Sequence, residues 1–431
     1  MRILQNNIHI RQTKKNLIRL SIRIFQAITA AITAVIIVHS FSILINNLQR
    51  ITQSHFKILP IWTILGAGFV ALVIYKISPN SKGEGVPSYI RSVNHLNSTF
   101  SIKETIFKYW AALFTLGTFG NGGIVGPVGR VSAGVNAYFE EKLNIKETMD
   151  LKVGAICGFA AAISLIFHAP IAGGIFAVEI LERSNMRYRY LFPTMLSSAF
   201  AVFFAKNLGF TSFYNFSIPD VELPNTLYMH VIIVGIITGF AGRYYNILYK
   251  KIATFINRNH KQNLFKEIII GSALVSIITF LINPELMGTS KNIINYIVSD
   301  IDKIYGNLPG TMNIVFVLFI LIVTKTLANC ITVGTGLNAG FAGPIIIVGM
   351  LIGVIISTVF GIEYYSSEYY AMICAGFTGM LASSMNIPIA AMILSLEVFG
   401  YNYAITGIVS TIIAFKINDY STIYDYGTKS V

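Results

Sequence analysis

Three glycine-rich breaks interrupt the apolar sequence, and each runs into helix-forming residues: Gly83-Glu84-Gly85-Val86-Pro87, Gly123-Ile124-Val125-Gly126-Pro127 and Gly340-Phe341-Ala342-Gly343-Pro344. A helix starting at such a break presents backbone N–H groups with no intrahelical partner, together with the positive end of its dipole. Several such starts converging inside a membrane make an anion site without a full positive charge. The same glycines would also suit close helix packing alone, as small-xxx-small patterns do. Their recurrence in an internal repeat favours the anion site.

Other chemistry finds little support. The seven histidines are scattered, with no His-x-x-x-His pair and no serine nucleophile elbow. Cys157, Cys330 and Cys374 sit in apolar stretches without metal-ligand spacing and read as buried thiols, so no metal or cofactor is expected. His168 falls where the second half has Asn386 and reads as a capping polar group. Glu179 and Glu397 are also symmetric, which favours a structural role at helix ends over a functional carboxylate. Lys325, ten residues before Thr335, would either add positive field or snorkel to an interface.

The repeat positions these groups. Gly123–Pro127 is followed by Gly158-Phe159, Pro170-Ile171-Ala172, Ile175 and Glu179; Gly340–Pro344 is followed by Gly376-Phe377, Pro388-Ile389-Ala390, Ile393 and Glu397. Gly-Phe precedes the proline by 12 positions in both halves, and the glutamate follows it by 9. Many membrane transporters are built from such duplicated units, with the substrate site where the units meet.

Composition agrees. The chain is 54% hydrophobic and 12% charged over 431 residues, against about 25% charged in soluble domains, so it reads as an integral membrane protein. The net charge of +13 is concentrated in a basic segment over 1–23 (Arg2, Arg11, Lys14, Lys15, Arg19 and Arg23), at Arg183, Arg187 and Arg189, and at Lys250, Lys251, Arg258 and Lys261. These border apolar segments, which predicts a cytoplasmic N-terminus and cytoplasmic basic loops. A nucleic-acid arm is disfavoured, because no aromatic-interleaved basic surface accompanies the charge.

Helices are expected over Ile24–Leu48, Ile58–Ile77, Ile102–Gly123, Pro127–Leu143, Gly154–Phe167, Pro170–Leu181 and Tyr190–Leu208 in a first membrane repeat over 24–210. After a linker at 211–225, the second repeat (226–431) is expected to hold Tyr228–Tyr249, Glu267–Asn283, Met312–Ile331, Gly376–Met385, Ile387–Phe399 and Tyr403–Ile417. Gly154–Phe167, Pro170–Leu181 and their second-repeat counterparts are shorter than the roughly 17–25 residues a span requires. They predict helices that stop or meet inside the membrane, where irregular backbone must be buried in protein or line a cavity. Only six residues follow Asp425, so no regulatory domain is expected after the membrane part.

These residues resemble the CLC family of chloride channels and chloride/proton exchangers. Gly83–Pro87 is similar to its Gly-Ser-Gly-Ile-Pro motif, Gly123–Pro127 to Gly-Arg-Glu-Gly-Pro, and Gly336–Pro344 to the stretch ending Gly-Ile-Phe-Ala-Pro. Tyr424 falls where the family has its central tyrosine, and the resemblance covers Ile24 to about Gly427. It implies an all-α fold of about eighteen mostly tilted helices and a homodimer with one pathway per subunit. It implies anion-binding positions at Glu84, Gly85, Gly123, Ile124, Val125, Gly126, Gly340, Phe341, Ala342 and Tyr424. The N–H groups near Phe341 and Ala342, the Tyr424 hydroxyl and the residue at position 84 would hold the central anion.

The departures from the family are specific. Val125 stands at the gate position, where the family's glutamate competes with chloride and carries protons. Ile180 stands where exchangers have their inner proton glutamate. Neither residue titrates. Glu84 replaces a serine that would donate to the anion, and an ionised carboxylate about 4 Å from chloride would repel it by roughly 4 kcal/mol at an effective dielectric near 20. Glu84 therefore carries a proton, turns away to the cytoplasm or toward Lys82 or Arg91, or serves as a relocated gate. The resulting reading is a chloride channel of an inner or plasma membrane, conducting passively and without proton coupling. Its rivals are an exchanger using Glu84 as the proton carrier and, from another class, a non-conducting membrane scaffold or sensor. The fluoride-selective branch is a further possibility of which Gly85-Val86-Pro87 and Pro127 give no sign.

Overall fold

A computed structural model describes residues 2–94, 100–143, 152–182, 186–214, 216, 218–219, 221–224, 227–259, 264–305, 313–419 and 421–424. Arg183, Lys261, Asp425 and Gly427 lie outside the described residues. Among the described residues there are 17 α-helices and no strand, apart from a single antiparallel bridge between Gly123 and Gly340.

In the first half the helices are α1 (Arg2–Gln53), α2 (Leu59–Leu72), α3 (Val86–Asn94), α4 (Ile102–Gly117), α5 (Val125–Lys142), α6 (Lys152–Phe167), α7 (Pro170–Glu179) and α8 (Leu191–Asn207). The second half holds α9 (Tyr228–Asn259), α10 (Leu264–Ile282), α11 (Lys291–Ser299), α12 (Asp302–Tyr305), α13 (Ile314–Gly334), α14 (Ala342–Val359), α15 (Ser367–Met385), α16 (Pro388–Leu394) and α17 (Tyr401–Asn418). Among the described residues five helices are long and apolar enough to cross a membrane: α1, α9, α10, α13 and α14. Large apolar side chains face outward along them, including Ile36, Phe240, Leu281 and Phe319, as bilayer contact permits.

Several helix bounds differ from those expected. α1 does not begin at Ile24 but runs from Arg2, because Lys, Arg, Gln and Leu are good helix formers and no glycine or proline interrupts them. α4 ends at Gly117 rather than Gly123, where Phe119 adopts a left-handed φ of 66°. α9 continues ten residues past Tyr249. The partner of the short α6 is not short: α15 begins at Ser367, is capped by Ser366, whose side chain accepts from Tyr369 N, and has 19 residues. Its first turns carry Glu368, Tyr369 and Tyr370, which obscured the helix in a reading by hydropathy. α7 and α16, with 10 and 7 residues, are short as expected.

The core runs through the middle of both halves. α5 packs on α6, α6 on α1 and α8, α14 on α15, and α15 on α9 and α17. Glycines set the approach: a Cβ on Gly349 or Gly376 would overlap the facing backbone carbonyl of the other. Cys157, Cys330 and Cys374 are buried and free within these helices.

Candidate functional site

The two five-residue breaks clasp each other. Gly123 N donates to Gly340 O at 2.8 Å and Gly340 N to Gly123 O at 2.6 Å. A Cβ on Gly123 would lie 2.7 Å from Gly343 N, and one on Gly340 2.8 Å from Gly123 O, so only glycine fits. The pair brings the starts of α5 and α14 together, one from each half. The third break joins them through Gly85, whose φ of +120° disfavours a side chain and whose Cβ would lie 2.6 Å from Gly126 O. Gly83 N donates to Gly336 O at 2.8 Å, tying the same break to the loop before Phe341.

Glu84 lies at the convergence. Its side chain is 4% exposed. Oε2 accepts from Val86 N at 2.6 Å, at the start of α3. Oε1 packs on Gly126, where any Cβ would overlap it. The Tyr424 hydroxyl donates to Oε1 at 3.4 Å. The carboxylate thus sits at the start of α3, packs on Gly126 at the start of α5 and accepts from the Tyr424 hydroxyl. The side chain does not turn toward Lys82 or Arg91; Lys82 lays its methylenes beside Gly336, and Arg91 is exposed.

Tyr424 is held from behind. Ile423 N donates to Ser384 O at 3.0 Å, and Tyr424 N to Thr422 Oγ1 at 3.3 Å. Its ring packs edge-on against Phe341 with centroids 6.1 Å apart, and Phe341 in turn packs against Tyr249 at 4.6 Å. Ile124, Val125, Phe341 and Ala342 are all buried at the helix starts. Val125 is the first residue of α5 and Ile180 the residue after α7, both apolar and buried.

Lysines support the breaks in both halves. Lys108 Nζ donates to Ser81 O (3.0 Å), Gly83 O (2.9 Å) and Asn338 Oδ1 (3.0 Å). Lys325 Nζ donates to Leu286 O (3.0 Å), Gly288 O (3.2 Å) and Ser290 Oγ (2.5 Å). Lys325 is fully buried, so it does not snorkel to an interface. Lys108 stands 15 residues before Gly123 and Lys325 15 before Gly340. Sequence reasoning had noted Lys325 alone; the repeat register was the signal that would have found Lys108. Asn329 was also missed. Its Nδ2 donates to Asn121 O (3.3 Å) and Gly340 O (3.2 Å), holding both breaks, while Oδ1 accepts from the Tyr245 hydroxyl at 2.6 Å.

The symmetric glutamates cap helices across the repeat. Glu179 accepts from Ile389 N (2.9 Å) and Ala390 N (2.8 Å) at the start of α16; Glu397 accepts from Ile171 N (2.9 Å) and Ala172 N (2.8 Å) at the start of α7. His168 is exposed and sits at the C-terminal end of α6 in a left-handed turn (φ 57°), as its counterpart Asn386 caps the end of α15 (φ 60°).

Fold and site together define a membrane transport protein of the repeat-built class, in which the two halves meet at a shared buried site. The chain belongs to the CLC family: it matches the family described as voltage gated chloride channel over residues 66–419. It is 24% identical over 368 residues to an uncharacterised protein of Methanocaldococcus jannaschii, covering 84% of this chain and 85% of that protein. It is 24% identical over 372 residues to the H(+)/Cl(-) exchange transporter ClcA of Salmonella arizonae, covering 82% and 74%. In fold it is similar to a CLC-type fluoride/proton antiporter (TM-score 0.81, 18% identity, 94% of this chain and 97% of that one). It is equally similar to a slow cyanobacterial Cl-/H+ antiporter (TM-score 0.80, 15% identity, 94% and 96%).

Proposed function

We propose that this CLC-family protein conducts chloride or a similar monovalent anion passively across an inner or plasma membrane, with Glu84 as the gate. The observation that carries the reading is the Glu84 carboxylate itself, held by Val86 N and the Tyr424 hydroxyl beside the starts of α3 and α5. Donors that hold a tethered carboxylate suit a free anion of the same charge. The permeant anion takes over these donors when Glu84 swings aside or accepts a proton.

Lack of coupling is supported by Val125 and Ile180, which leave no titratable side chain at the two positions where exchangers of the family carry protons. A homodimer with one pathway per subunit, lying in the bilayer with its N-terminus in the cytoplasm, completes the proposal. The basic residues Lys14, Arg19 and Arg23 of α1 and Arg187 and Arg189 before α8 support that orientation.

The placement of Glu84 also favours a second reading. A carboxylate that alternates with chloride at one set of donors would carry a proton on each exchange, making the protein a chloride/proton exchanger with a displaced proton carrier. Paired chloride and proton fluxes from reconstituted vesicles separate the two.

A further inference from the structure

An apolar cleft of about 500 Å³ opens on the outer surface between α9 and α10, with α13 as its floor. That volume lies in the range of small-molecule sites. Ile270, Gly271 and Leu274 line it from α10, Phe255 from α9, and Ile331 and Thr335 from α13. Its composition changes with depth. Toward the ends of the two spans, where α9 finishes at Asn259 and α10 begins at Leu264, the cleft is bordered by charge; toward Leu274 it is apolar.

The charge is mostly of one sign. Lys251, Phe255 and Arg258 are spaced four and three residues apart and share one face of α9, and all three are exposed. Lys266 is exposed at the first turn of α10. Glu267 is the one acid among the described residues that line the cleft, and it already has an interaction partner. A cation at the membrane boundary beside an apolar slot complements a molecule with an anionic head and a hydrocarbon tail. Basic pockets between membrane helices bind phospholipid headgroups in this way.

We propose that this cleft binds an anionic phospholipid, one acyl chain lying against Phe255, Ile270 and Leu274 and the phosphate pairing with Lys251. The lipid touches the anion pathway indirectly. Thr335 on the cleft floor caps α13 and directly precedes Gly336, the residue whose carbonyl receives Gly83 N. A chain seated here therefore rests on the start of the loop that leads to Phe341.

The test uses full-length protein in phosphatidylcholine vesicles containing brominated phosphatidylglycerol or brominated phosphatidylcholine. A Phe255→Trp reporter, with Trp62→Phe and Trp110→Phe to remove the two native tryptophans, should be quenched several-fold more strongly by the brominated anionic lipid at equal mole fraction. Phe203→Trp, on the exposed face of α8, should show no such preference. Adding Lys251→Gln should bring the two lipids to equal quenching at position 255. Equal quenching without Lys251→Gln, or a preference that survives it, would overturn the proposal. If the tryptophan variants do not fold, wild type and Lys251→Gln extracted from vesicles of equal parts of both lipids, with the retained lipid identified by mass, give the same decision. Phosphatidylglycerol should be enriched on wild type only, and equal retention on both proteins would refute the site.

Discussion

The Tyr424 hydroxyl donates to Glu84 Oε1 across 3.4 Å, joining two residues 340 positions apart in the chain. Within the proposed pathway this bond is the anion's own contact, held by a side chain. Lowering the pH adds a proton to Glu84, removes its negative charge and weakens its hold on the donors, so chloride flux should rise in acid and fall in alkali. In Glu84→Gln the side chain keeps its size and cannot ionise. Its flux should be flat with pH and equal to the acid limit of wild type. Stopped-flow chloride efflux from vesicles across a pH series measures this; wild-type flux independent of pH would remove Glu84 from the gate.

Tyr424→Phe deletes one donor and leaves the ring against Phe341. A net hydrogen bond contributes about 0.5–1.5 kcal/mol, so chloride affinity should drop by roughly two- to tenfold. Calorimetric titration of Glu84→Gln and Glu84→Gln/Tyr424→Phe with chloride compares the site with its tethered carboxylate neutralised in both. Identical affinities would place the anion away from Tyr424.

Val125 begins α5, one residue before the Gly126 on which the Glu84 carboxylate packs. In the Glu84→Gln background, where flux is flat, Val125→Glu should restore a pH dependence with the same sign, faster in acid. Proton coupling should stay absent because Ile180 is unchanged. A double variant as flat as its parent would mean that position 125 does not face the pathway.

The reciprocal caps predict stability rather than transport. Glu179 and Glu397 each satisfy two N–H groups at a helix start in the opposite half. Glu179→Ala leaves the start of α16 uncapped and removes a charge that favours the helix dipole, which should cost about 1–2 kcal/mol. Glu397→Ala should cost a similar amount at α7. Thermal unfolding in detergent checks both, with Glu179→Gln expected to lie between Ala and wild type; no change in any of them would show the caps to be dispensable.

Much of this was legible in the sequence because the glycines are irreplaceable. Gly85, Gly123 and Gly340 hold backbone against backbone, and that constraint appears as a motif whatever the surrounding apolar residues do. The symmetric glutamates were readable from their shared offset to Pro170 and Pro388. Helix ends were less so: α1 extends through basic residues and α15 begins in a polar turn, and hydropathy marks bilayer contact rather than helical hydrogen bonding. The orientation of Glu84 was open for a different reason. A carboxylate close to Lys82 and Arg91 in sequence has obvious partners, and only the fold, which brings Tyr424 against the start of α3, offers it other donors. Lys108 shows in the sequence only through its register with Lys325 in the repeat, and Asn329 bonds loop carbonyls, a role that leaves no local pattern.

The central claim is passive anion conduction gated by Glu84, and simultaneous recording of chloride and proton movement tests it most directly. Purified protein in vesicles with an outward chloride gradient and no protonophore should release chloride when a potassium ionophore clamps the voltage, while the external pH electrode registers no stoichiometric proton flux. Glu84→Gln should conduct with the same silence on the proton channel. Proton uptake in fixed ratio to chloride efflux in wild type, driven uphill by the chloride gradient and abolished in Glu84→Gln, would contradict the channel reading and make Glu84 the carrier of an exchanger.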